Sequence, residues 1–148
     1  MVSRRWMGVA LVAVAAVATA YAAEEVKLEG VKCIVNAKAN AKAANARDYK
    51  DGKVYFCCMN CPKAFDKDAA KFSTKANHQL VATGQAKQEK CPFSGEAVNA
   101  DTAIIVEGAK IAFCCEMCQG KAKASSEQVE LLFNDKAFEK AGFKVSKE

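Results

Sequence analysis

Gly52-Lys53-Val54-Tyr55-Phe56-Cys57-Cys58-Met59-Asn60-Cys61 is echoed further along the chain by Ala109-Lys110-Ile111-Ala112-Phe113-Cys114-Cys115-Glu116-Met117-Cys118. Each stretch is an apolar run that ends in Phe and then reads Cys-Cys-x-x-Cys. A single cysteine precedes each, Cys33 and Cys91, so the four cysteines of one copy map onto those of the other with offsets of 58, 57, 57 and 57. Asn77 and Asn134 correspond, as do Gly84 and Gly142 after a one-residue insertion. Self-similarity at a fixed period is the signature of a tandem duplication. We read two modules, 31–87 and 88–147.

The fold class follows from one module. Asp51-Gly52 is a two-residue hairpin signal, and Val54-Tyr55-Phe56 follows as a strand. In the second copy 102–106 and 110–113 flank Glu107-Gly108-Ala109, again a hairpin. After the last cysteine of copy one, Phe65, Ala69 and Phe72 fall at i, i+4 and i+7, a helical spacing. Pro62 sits where a first helical turn tolerates it. In copy two Ser125 with Gln128 reads as a capping box for a helix carrying Val129, Leu132 and Phe133, and Gly142 stops a final short helix. The expected fold is α+β: two small tandem modules, each a β-hairpin followed by helix. The biased run 36–46, NAKANAKAANA, stands where the second copy has Pro92-Phe93-Ser94-Gly95; it reads as helix or as loop.

A unit of this length buries little core and needs a staple. Cys57 and Cys58 end a strand and Cys61 opens a helix, so three sulfurs converge on a helix N-terminus, whose dipole and free N–H groups favour thiolate. The hairpin leads back towards Cys33, which brings a fourth. Four soft thiolates suit tetrahedral Zn(II), or Cu(I) with fewer ligands. All eight cysteines are candidate ligands: Cys33, Cys57, Cys58 and Cys61; Cys91, Cys114, Cys115 and Cys118. Neighbours on a strand point to opposite faces, so one of Cys57 and Cys58 is the candidate to stand outside the set.

The pattern resembles a known group. Cys91-x22-Cys114-x3-Cys118 fits the spacing of the TRASH family, which is linked to heavy-metal trafficking and sensing, and Cys33-x23-Cys57-x3-Cys61 exceeds it by one residue. The run from Lys53 to Cys61, with Phe65 after it, is similar to the related YHS module. Cys91-Pro92-Phe93-Ser94-Gly95 before a hairpin resembles zinc-binding large-subunit ribosomal proteins of the same treble-clef-like group. The resemblance spans Val31 to Phe143. It implies treble-clef-like modules whose ligands are Cys33, Cys57 and Cys61, and Cys91, Cys114 and Cys118. Cys58 and Cys115 stand where YHS modules carry Ser.

The first 22 residues have the layout of a secretory signal peptide: Arg4 and Arg5, the apolar run from Trp6 to Thr19, then a small-x-small site at Ala20-Tyr21-Ala22. The apolar run is short for a membrane span, which needs about 20 residues. Ser3-Arg4-Arg5-Trp6-Met7 also partly resembles a twin-arginine export signal. The mature chain is expected to begin at Ala23, in the periplasm or outside the cell. Without Arg4 and Arg5, 20 basic residues face 17 acidic ones; with Lys spread along the chain this is no nucleic-acid footprint. No membrane contact is expected after cleavage.

An oxidising compartment raises a second reading, structural disulfides without metal. A third is thiol–disulfide exchange at Cys58-x-x-Cys61 and Cys115-x-x-Cys118, but no βαβ unit fits this period. His78 is the sole histidine and Asp135 stands at its repeat position, which points to a surface or capping role. Met59 and Met117 are out of register by one residue; each offers a thioether to Cu(I) or simply packs. With one histidine and no paired acidic motif, hydrolytic catalysis has no candidate site, and no enzyme activity is expected. The expected function is metal binding for buffering, trafficking or sensing, with Zn(II) the first metal and Cu(I) the second. Where the metal is structural, the implied partner is another exported protein.

Overall fold

The computed structural model describes residues 26–146; the leader and its cleavage site lie outside them. The chain is an α+β protein. Copy one contributes β1 (Lys42–Tyr49), β2 (Gly52–Phe56), α1 (Asn60–Lys67), a 3-10 turn at Ala70–Phe72, α2 (Ser73–Ala82) and β3 (Ala86–Lys87). Copy two contributes β4 (Asn99–Val106), β5 (Ala109–Phe113), α3 (Glu116–Lys123), α4 (Gln128–Phe133), α5 (Asp135–Lys140) and β6 (Lys144–Val145). The β1–β2 and β4–β5 pairs are antiparallel hairpins, and β3 pairs with β6 across the two copies. No helix among the described residues is long and apolar enough to cross a membrane.

Each hairpin turns on two residues in the left-handed region. In copy two these are Glu107 and Gly108, at φ 46° and 87°. In copy one they are Lys50 and Asp51, at φ 45° and 66°, one residue before the Asp51-Gly52 expected from sequence. Gly52 opens β2 instead, because a Cβ there would meet Leu80 Cδ2 and Val145 Cγ1, both at 2.8 Å. The biased run after Asn36 is neither helix nor loop throughout: its second half is the start of β1. Asn45 and Thr102 fill matching irregularities in β1 and β4.

The helices of copy two over Val129, Leu132 and Phe133 and before Gly142 form as expected, but other helical details differ. The Phe65–Ala69–Phe72 spacing does not run as one helix. The chain leaves helical geometry at Asp68, whose carboxylate accepts the Lys71 N–H and starts the next turn. The Ser125–Gln128 capping box does not close. Ser125 Oγ accepts from Glu127 N–H, and Gln128 reaches back to the Ala122 carbonyl. Asn134 breaks the helix where copy one runs on through α2, and its side chain accepts the Ala137 N–H to start α5.

The two copies share one core. Val54, Phe56, Phe65, Ala76 and Leu80 of the first pack in the same buried cluster as Ile111, Phe113, Leu132, Phe133 and Phe138 of the second. Polar bonds also cross the joint. Asn77, fully buried, donates to Phe133 O and Asp135 Oδ1 and accepts from the Tyr49 hydroxyl. Lys50 Nζ reaches Asp135 Oδ1 at 2.7 Å.

His78 is not a surface residue. Its ring stands edge-on to Phe133 at 5.0 Å, and Nε2 donates to Val106 O at 2.9 Å. Burial holds its pKa below the usual value, against the opposing pull of the Val106 carbonyl and Glu107. The folded ring therefore stays neutral while an unfolded chain takes up the proton, and stability falls as pH drops below about 6.5. The depressed carboxylates Asp135 and Asp48 also lose their contribution as pH falls, but only at lower pH than this window. Urea unfolding of wild type and His78→Gln at pH 7.5 and 5.0 should show the stability difference between the two chains shrinking at the lower pH.

Candidate metal centres

Among the described residues, the strands that lead into the cysteine pairs have one edge in a hairpin and the other without a strand partner. Glutamine amides fill that second edge. Tyr55 N–H donates to Gln79 Oε1 at 2.6 Å, while Gln79 Nε2 donates to Tyr55 O at 3.0 Å and to Lys32 O at 2.9 Å. In copy two, Ala112 N–H donates to Gln88 Oε1, and Gln88 Nε2 donates to Ala112 O, both at 2.8 Å, and to Lys90 O at 2.7 Å. Tyr55 and Ala112 are repeat equivalents, as are Lys32 and Lys90. The two glutamines are not: one lies on α2, the other precedes Cys91. Each clamps the residue before the single cysteine to the strand that ends in the pair.

A second device holds the end of that strand. Thr102 Oγ1 donates to Phe113 O at 2.6 Å and accepts from Phe113 N–H at 2.9 Å. Asn45 Nδ2 reaches Phe56 O at 3.5 Å in copy one. Phe56 and Phe113, both fully buried, immediately precede Cys57 and Cys114.

The single cysteines sit in tight turns whose N–H groups face the sulfur. Asn36 N–H approaches Cys33 Sγ at 3.5 Å. Burial would raise the Cys33 thiol, but this N–H and that of Cys57 outweigh it and hold the pKa below its ordinary value. At Cys91 the N–H groups of Ser94, Cys114 and Phe93 overcome burial in the same way and bring it to about 7. Asn36 and Ser94 hold the same place in the two turns, so copy one builds the turn without Pro-Phe-Ser-Gly. Ser94 adds a bond of its own, its hydroxyl donating to Cys114 Sγ at 3.3 Å.

Two clusters result. The sulfurs of Cys33, Cys57 and Cys61 all lie within 4.8 Å of one another, and so do those of Cys91, Cys114 and Cys118. Cys57–Cys61 is 3.6 Å and Cys114–Cys118 is 3.7 Å. A disulfide measures about 2.05 Å, and every cysteine among the described residues is free. Sulfurs about 2.3 Å from a tetrahedral zinc stand about 3.8 Å apart, close to the observed spacing. The donor set and its geometry fit a thiophilic cation, and the two clusters can hold a metal. Cys58 and Cys115 lie beside the clusters rather than in them: Cys58 is 3.5 Å from Cys61, and Cys115 is 3.6 Å from Cys114.

The electrostatics divide each cluster. Burial, then the neighbouring Cys114 and Cys115 sulfurs, push the Cys118 thiol up to about 12. Burial, then Cys58 and Cys57, raise Cys61 in the same way. Cys58 lies the other way, drawn to about 7 first by the Asn60 N–H and then by the Cys61 N–H at the start of α1. Cys57 and Cys114 are raised as well, the lowering bonds from Cys61 and Ser94 being outweighed by burial and neighbouring thiols. Two sulfurs per cluster thus resist ionisation while the lone cysteine favours it, and a bound cation would remove that resistance.

Compared with family models, curated proteins and solved structures, the chain finds no match. The asparagine and glutamine supports were not read from sequence. Glutamine before or after a cysteine module carries no pattern of its own; only the Cys-x-x-Asn and Cys-x-x-Ser spacing of the turns was there to be found.

Cys118→Ser should abolish Co(II)–thiolate absorption from the second cluster, whereas Cys115→Ser should keep it; equal loss in the two would put Cys115 in the ligand set. Gln79→Leu should cost about 1–3 kcal/mol in a chemical unfolding titration, because it leaves buried N–H and C=O groups of the first clamp unpaired.

Proposed function

We propose that this protein is exported and holds thiophilic metal ions in its two cysteine clusters, for buffering, trafficking or sensing of the metal. The observation that carries the reading is the repeated convergence of three sulfurs, from a tight turn, a strand end and a helix start, onto one point in each copy. Zn(II) suits a set of three or four thiolates, and Cu(I) suits three. The resemblance to TRASH and YHS modules supports the same chemistry. The leader-like first 22 residues support export, and a sequence with one histidine and no paired acidic motif supports a binding rather than a catalytic role.

Exposure favours a labile site over a closed one. Cys33 and Cys61 are buried, but Cys57 is half-buried and Cys58 exposed. In copy two only Cys91 is buried; Cys114, Cys115 and Cys118 are all half-buried. A structural zinc site is closed on all sides, whereas a site that exchanges metal keeps one side open.

Mature protein prepared without oxygen should carry one to two metal equivalents, and its thiols should react freely only after chelation under denaturing conditions, because bound sulfurs are thiolates already spoken for. Elemental analysis and a thiol titration on the same sample decide this. Protein with neither metal nor titratable thiol would overturn the proposal in favour of disulfides.

A further inference from the structure

Met59 and Met117 are 74% and 82% exposed. Each lies inside the Cys-x-x-Cys loop of its copy, Met59 just after Cys58 and Met117 just before Cys118. The one other large apolar side chain exposed among the described residues, Ile105, is on β4, outside these loops. The two methionines occupy different positions of the repeat, so neither is a copied core residue that has lost its cover. At such exposure the hydrophobic effect gives them nothing to do.

Their chemistry is distinctive. A thioether is neutral, polarisable and has no proton to lose, and it is a good ligand for soft cations and a poor one for harder ions. Along the chain Met59 follows Cys58 and Met117 stands two residues after Cys115, and each of these thiols lies outside the three-sulfur cluster: Cys58, exposed and 3.5 Å from Cys61, and Cys115, half-buried and 3.6 Å from Cys114. The Cys-x-x-Cys loop of each copy therefore carries one exposed thioether and one outer thiol, next to an inner set of three sulfurs anchored by a buried cysteine.

We propose that Met59 with Cys58, and Met117 with Cys115, form an entry station on each cluster that takes a soft monovalent cation, Cu(I) or Ag(I), and passes it inward. This rests on the reading of the clusters as metal sites and names the class of ion they exchange. The cation keeps its oxidation state throughout. Its carrier ligand leaves, the thioether and outer thiolate take its place, and inner sulfurs then replace them; each thiol that becomes a ligand releases one proton to solvent.

The test compares wild type with the double variant Met59→Leu/Met117→Leu. Leucine keeps the apolar volume and removes only the sulfur, at positions that bury nothing. Cu(I) is supplied as its bicinchoninate complex, and transfer is followed by stopped-flow loss of that complex's colour. In parallel, Cd(II) uptake is followed by its thiolate absorption. The variant should accept Cu(I) roughly tenfold more slowly, the lower end of what outer partners of a metal site contribute. Its Cd(II) uptake and its final Cu(I) stoichiometry should match wild type. Equal Cu(I) transfer rates in the two proteins would overturn the proposal. So would wild type that binds Cd(II) but takes no Cu(I), which leaves the clusters standing as metal sites. Wild type that binds neither ion would overturn both readings. A variant slowed equally for Cu(I) and Cd(II) would show a structural role and also overturn it.

Discussion

Each glutamine amide presents one acceptor and one donor to the same strand residue, Tyr55 in one copy and Ala112 in the other, and sends a second N–H bond to the segment that leads into the lone cysteine. A third strand would make the same bonds, but these hairpins have only two. The amide thus satisfies an edge that would otherwise be open to water or to another chain. It also joins two pieces of backbone far apart in sequence. Sulfurs must meet within a few tenths of an ångström for a metal to bridge them, and the lone cysteine reaches its partners only because its approach is tied to their strand. Phe56 and Phe113, gripped by Asn45 and Thr102, hold the strand end just before the cysteine pair.

The charge arrangement follows from that scaffold. Backbone N–H groups of the tight turn favour thiolate at Cys33 and Cys91, while burial and crowding oppose it at Cys61 and Cys118. Such a set is unfavourable as three anions and favourable as three anions around a cation. A metal held there would contribute its binding free energy to folding. Because a single core spans both copies, stabilisation at one cluster acts on packing that the other also uses.

Duplication did not leave two equal halves. Helix α2 runs through Asn77 in copy one, whereas the equivalent stretch of copy two breaks at Asn134, between α4 and α5. The break lets Phe133 O face Asn77 and sets Asp135 against Lys50. His78 has no histidine counterpart because it serves the joint, bonding to Val106 of the other copy. Positions that line a joint between repeats see different neighbours from each side, so they diverge, whereas the cysteines keep their offsets.

Much of the site could be read directly. The repeat offsets, the hairpins and the convergence of strand end, helix start and lone cysteine all come from local pattern: turn-forming residues, alternation, and the fixed geometry of Cys-x-x-Cys. The hairpin in copy one was misplaced by one residue because Gly52 is demanded by Leu80 and Val145 rather than by the turn. In copy two the helix over Val129, Leu132 and Phe133 and the short helix before Gly142 form as expected, whereas in copy one the Phe65–Ala69–Phe72 spacing breaks because the Asp68 carboxylate makes a side-chain bond that competes with the backbone. By itself, then, the amino-acid order determined the α+β class, the duplication and which residues carry sulfur, since these depend on neighbours a few positions apart. The three sulfurs of each copy that the family resemblance implies are the ones that meet, whereas tertiary structure alone decided that glutamines from unrelated positions hold them and that the two copies share a core. Those outcomes depend on contacts between residues distant along the chain, whose partners no local pattern names.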